Sequence, residues 1–101
     1  VHLPMPTAKL PQYDSALKAY HTAFAPELEG AVRRCVPGPD IRVLDSPCGD
    51  GFYTALFARH MRGGTLVAAD LSPAYLDAAR GAVRDPSPAL DVQFVEADAY
   101  K

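Results

Sequence analysis

Ile41-Arg42-Val43-Leu44-Asp45-Ser46-Pro47-Cys48-Gly49-Asp50-Gly51 is the stretch that decides the fold. Its first part, Ile41 to Asp45, is rich in branched apolar residues and reads as a short buried strand. Ser46 to Gly51 is a turn segment. Phe52 to Arg62 returns to helical spacing, with Tyr53, Leu56, Phe57 and His60 or Met61 on one side, and Gly63-Gly64 stops it. The same unit then recurs. Thr65 to Asp70 is a second strand. Ser72-Pro73 is a cap followed by proline at the first helical position, and Leu76, Ala79 and Val83 line one helical face. Asp77 early and Arg80 and Arg84 late suit the helix dipole. Pro86-Ser87-Pro88 makes a loop, and Val92 to Ala97 is a third strand. Strand, helix, strand, helix, strand specifies an α/β fold with a parallel sheet and right-handed crossovers.

Upstream, residues 1–12 carry Pro4, Pro6 and Pro11 and read as an extended arm, because proline lacks a donor and restricts its neighbour. Residues 13–40 read as two helices. Asp14 or Ser15 caps the first, which runs to about Phe24 with Leu17, Tyr20 and Phe24 near one face. Pro26 opens the second, with Leu28, Ala31, Val32 and Cys35 on a shared face, and Pro37-Gly38-Pro39 ends it. Residues 41–101 form the α/β part. The chain begins with Val and stops just after the third strand, so it is expected to be a piece of something longer.

Composition narrows the function classes. The 101 residues are 49% hydrophobic and 22% charged, which excludes a disordered tail or a coiled-coil rod. A net charge of −2 argues against general nucleic-acid binding, which draws its affinity from neutralising phosphates. No apolar run approaches the roughly 20 residues needed to cross a bilayer. Two cysteines, Cys35 and Cys48, make no disulfide framework and fit free thiols in a reducing cytoplasm. No Cys/His cluster has metal-ligand spacing.

In a parallel sheet, ligands bind outside the carboxyl ends of the strands. Asp45 ends the first strand, Asp70 the second, and Asp98 follows the third. Gly49 and Gly51 remove side chains where a ligand approaches the backbone and where a helix starts close to a strand. A dinucleotide site wants Gly-x-Gly-x-x-Gly, but Thr54 stands where the third glycine belongs. Asp45 and Asp50 would also set negative charge beside a pyrophosphate. A cationic ligand without phosphates fits better.

Here the residues resemble a family. Val43 to Gly51 looks like the acidic, glycine-rich first motif of the class I S-adenosylmethionine-dependent methyltransferases. Phe57-Ala58 falls where that family usually has Leu-Ala. Ala69 to Arg80 and Val95 to Ala99 are similar to its next two motifs. The resemblance implies a Rossmann-like three-layer fold, here truncated to about three strands in the order 3-2-1. It implies S-adenosylmethionine as cofactor and S-adenosylhomocysteine as product. By the same resemblance Asp45 would orient the methionine ammonium, and the backbone at Pro47, Gly49 and Gly51 would lie against the ligand. Asp70 would take the ribose hydroxyls, Leu71 the adenine face, Asp98 the adenine amino group, and the Ala99 N–H a ring nitrogen. Pro47 departs from the motif, whose first glycine it replaces, and so lacks a donor.

Other readings stand beside this one. Asp45 and Asp70 can serve as turn or cap residues, Asp98 as a surface carboxylate, and Cys48 as a small filler with no base to make it a nucleophile. Tyr13, Tyr20 and Phe24 read as helix packing rather than a ligand lid. No catalytic residue is assigned, the methyl acceptor is open, and the chain alone is expected to be inactive. The alternatives are a nicotinamide-dependent oxidoreductase fragment and a non-catalytic module. The unprotected first-strand edge suggests association with a second copy.

Overall fold

The computed structural model describes residues 14–36 and 38–98. The proline-rich arm of residues 1–12, together with Tyr13, Pro37 and Ala99, lies outside them. Seven elements follow in order: α1 (Asp14–Ala23), α2 (Ala25–Arg34), β1 (Arg42–Asp45), α3 (Phe52–His60), β2 (Gly64–Asp70), α4 (Pro73–Ala82) and β3 (Leu90–Glu96). The strands form one parallel sheet ordered β1-β2-β3, which is the expected 3-2-1 order seen from the other edge.

The expected three layers are not all present among the described residues. Both crossovers advance in the same direction, β1 to β2 and β2 to β3. Right-handed connections that never reverse direction place their helices on one face. Leu66 and Ala68 of β2 accordingly meet both helices. Leu66 lies with Ala58 and Met61 at the end of α3, and Ala68 with Leu76 and Ala79 of α4. Leu90, Val92 and Phe94 of β3 join these two clusters. The other face carries Arg42, Leu44, Thr65, Val67 and Gln93 around an open depression, and Leu44 is 69% exposed.

α2 packs outside α3 rather than on the sheet. Glu29 ties the two together. Its Oε1 lies 2.9 Å from His60 Nε2 and accepts from Arg59 Nη1 at 3.4 Å. His60 foremost, and Arg59 with it, hold the Glu29 carboxyl below its ordinary pKa. α2 begins with Pro26 in its first turn, as the sequence implies. Of its expected apolar face, Val32 is buried, whereas Ala31 and Cys35 are exposed.

α1 departs from its periodicity. Leu17, Tyr20 and Phe24 are exposed, and His21 is the buried residue. Helical spacing identifies a stripe but not the neighbour that covers it. Here the neighbour is the start of α3, whose Phe52 ring stacks on His21 with centroids 3.9 Å apart. α1 already includes Asp14, so Ser15 sits inside the helix and is not its cap.

Candidate functional site

The loop between β1 and α3 is held from β2. Cys48 N–H donates to the Ala69 carbonyl at 2.8 Å. Gly49 N–H donates to Asp70 Oδ2 at 3.0 Å, and Ser72 N–H donates to Asp70 Oδ1 at 2.9 Å. Asp70 thus uses one acceptor position on each oxygen to join the glycine loop to the start of α4. Its main-chain carbonyl accepts from Ala97 N–H at 3.0 Å, drawing in the segment after β3. Ser72 is the N-cap of α4, with Oγ accepting from Tyr75 N–H. Ser72, not Asp70, therefore caps α4, and Asp70 at the strand end holds the N–H of the cap residue.

The two glycines do different work. Gly51 has φ +89°, and a Cβ built there would lie 2.5 Å from Ala79 Cα, so α4 can pack only against a residue without a side chain. Gly49 has φ +54°, yet a Cβ there would meet nothing within 4 Å. Its bare surface opens outward.

Asp45 lies half-buried at the end of β1. Its Oδ2 accepts from Thr54 Oγ at 2.7 Å. Burial raises the Asp45 pKa, the Thr54 bond opposes that, and the charge of Asp70 raises it further. The two carboxylates thus share one rim. Asp50 belongs to the same loop and accepts from Phe52 N–H at 3.3 Å. Among the described residues, no ion pair involves Asp45, Asp50 or Asp70. Three acids therefore sit on one rim with no basic side chain paired to them among the described residues.

Of the remaining expected residues, Pro47 is exposed, after a cis Ser46–Pro47 bond. Leu71 is also exposed, directly after Asp70. Asp98 is half-buried just past the end of β3. Ala99 lies outside the described residues. Cys48 is buried against Ala68, Leu76 and Ala79, and burial first, then Asp70 and Asp45, push its thiol to about 11. It is a filler, as its lack of a neighbouring base implies. Among the described residues, no group of three or more His, Cys, Asp or Glu side chains is placed to hold a metal ion.

Sequence reasoning missed Thr54 and His21. Thr54 is fully buried on α3, and a hydroxyl on an apolar helical face was the available signal. His21 carried no such signal, since its partners Phe52 and Tyr53 come from another element.

The residues from Val43 onward match the model of the methyltransferase domain, over residues 43–101. The chain belongs to this family. The match begins within β1 and includes the glycine loop and all three acidic strand ends. No curated protein matches the chain. No helix among the described residues is long and apolar enough to cross a membrane.

Proposed function

We propose that this methyltransferase domain holds S-adenosylmethionine on the shelf formed by the carboxyl ends of β1 and β2. The observation that carries the reading is the Asp70 carboxylate, bonded to the loop at Gly49 and facing the same rim as Asp45. The residues present fit the ligand. Acids that form no ion pair among the described residues suit a molecule with a sulfonium and an ammonium, and Gly49 leaves space where a Cβ would stand. A carboxylate has about four lone-pair sites. Two on Asp70 are taken by backbone N–H groups, which leaves an acceptor on each oxygen for a pair of ribose hydroxyls. Asp45, held by Thr54, keeps its other oxygen for the ammonium. Gly49 and Gly51, with Pro47 beside them, form the loop surface. Leu71 stands exposed at the adenine position, with Asp98 and Ala99 at the end of the third strand for its edge.

When bound, S-adenosylmethionine supplies an electrophilic methyl group on a cationic sulfur. The chain's part is to orient that group and to match its charge. The described residues provide the donor side, and we propose that transfer to an acceptor needs structure beyond them. The free thiols accord with a cytoplasmic location. The exposed Leu44 on edge strand β1 supports pairing with a second copy, which light scattering on concentrated protein tests: a monomer throughout refutes it.

The test of cofactor binding varies the ligand rather than the protein. S-adenosylhomocysteine should shift the Gly49 and Gly51 amide signals. Its 2′-deoxy analogue should bind about tenfold more weakly, the loss of one hydrogen bond to a charged acceptor. Still amides at millimolar ligand, or equal affinity for the two compounds, would overturn the assignment.

A further inference from the structure

The acidic rim lies at one end of the sheet, and a cavity of opposite charge lies at the other. α3 and α4 both start at the rim and run back toward the N-terminal ends of the parallel strands. Nine residues carry the last turn of α3 about 13 Å from the glycine loop. There a cavity of about 190 Å3 opens between the two helix ends, with Met61 in its floor. Arg59, Arg62 and Arg84 line it, together with Asp85 and Ser87. Ser87 Oγ donates to the Arg62 carbonyl at 2.7 Å, which fastens the segment before β3 to the end of α3. Arg59 Nη1 reaches Glu29 on α2 at 3.4 Å, but among the described residues Arg62 and Arg84 enter no ion pair. Cations in the last turn of a helix suit its dipole, and that accounts for Arg59. Arg62 and Arg84 stand past the ends of α3 and α4, at His60 and Ala82, so the dipole does not explain why both face one cavity.

We propose that this cavity binds the phosphate group of a small phosphomonoester. Three arginines against one aspartate leave an excess of positive charge, and the planar guanidinium fork matches phosphate oxygens. The volume equals roughly six waters at about 30 Å3 each. It lies below the roughly 300 Å3 at which pockets begin to take drug-sized ligands. A phosphate on a short carbon chain fits, and a nucleotide does not. The site stands on different residues from the donor shelf and does not depend on that reading. A ligand here would clamp the end of α3 to the segment that follows α4.

The test titrates inorganic phosphate into the intact chain and follows the arginine Nε–H signals and the Ser87 amide by NMR. A parallel titration uses chloride at matched ionic strength. Phosphate should move the Arg62, Arg84 and Ser87 signals, chloride should leave them in place, and the Gly49 and Gly51 amides should stay still in both. Arg84→Gln should weaken phosphate binding about tenfold, the low end for one hydrogen bond to a charged group. Arg80→Gln removes the same charge from α4, where Arg80 pairs with Asp77 outside the cavity, and should leave the affinity unchanged. Equal shifts with chloride, equal weakening by the two variants, or shifts at Gly49 and Gly51 in place of Ser87 overturn the proposal. The comparison of phosphate with chloride on the wild type decides the matter even if Arg84→Gln fails to fold.

Discussion

Asp70→Asn isolates the charge that holds the loop. In the native chain two part-buried N–H groups, of Gly49 and Ser72, donate to the two oxygens of the buried carboxylate at 3.0 and 2.9 Å. Hydrogen bonds to a charged group are worth about 1.5–3 kcal/mol each. The amide keeps one acceptor and turns an NH2 toward the other donor. One bond is lost, and a part-buried donor is left unpaired, at a further cost toward the low end of about 1–3 kcal/mol. Relief of the repulsion with Asp45 gives some of this back. The net expectation is a loss of about 2–3 kcal/mol, or roughly 10–20 °C in Tm for a chain of this size. Urea unfolding measures the loss, and an NMR titration of the Asp45 carboxyl supplies an independent check. The Asp45 pKa should fall toward its ordinary value, because the charge of Asp70 helps to raise it. A stability change under about 0.5 kcal/mol, in the range of a neutral surface substitution, or an Asp45 pKa that does not fall, would refute the reasoning. Because Asp70 also orders the loop, lost ligand affinity in this variant would not by itself place a ribose there.

The two loop glycines should separate sharply. Gly51→Ala adds backbone strain at φ +89° to a collision with Ala79 and should cost about 2–5 kcal/mol, whereas Gly49→Ala meets open space and should cost about 1–2 kcal/mol in thermal denaturation. Thr54→Val removes the bond that lowers the Asp45 pKa, so that value should rise further. Since an acid with a raised folded pKa is disfavoured in its ionised form, the variant's deficit should be largest above the folded pKa of Asp45 and shrink as pH falls through it; a deficit constant with pH contradicts the assignment. Iodoacetamide at mild alkaline pH should give one adduct by intact mass, on exposed Cys35, since Cys48 is buried with its thiol pushed to about 11. Two adducts on the folded chain would count against the burial of Cys48.

The fold after residue 41 is legible because its signals are local. The Ser72-Pro73 pair marks the start of α4, and the branched runs ending at Asp45 and Asp70 mark the strand ends. Gly51 is legible as a point of close approach, although its partner, Ala79, is not. The α1 helix is where local reading fails. Its apolar stripe of Leu17, Tyr20 and Phe24 stays exposed, while His21 is buried by a stack that depends on where α3 begins. The number of layers is hidden for a related reason. Alternating strands and helices establish crossovers, but the covered face follows from the direction in which the strands advance. The Asp45–Thr54 bond is likewise tertiary, since it arises only when the loop folds α3 back alongside β1.

A sheet that advances only one way has a kinetic corollary. Crevices in such folds lie where the strand order reverses, and β1-β2-β3 contains no reversal. Among the described residues, a nucleoside resting beyond β1 and β2 would have a floor and one flank. On these residues alone its residence should be short even where equilibrium contacts are good. Methods that wash or separate before they count will then under-report it, whereas those that read the mixture in place will not.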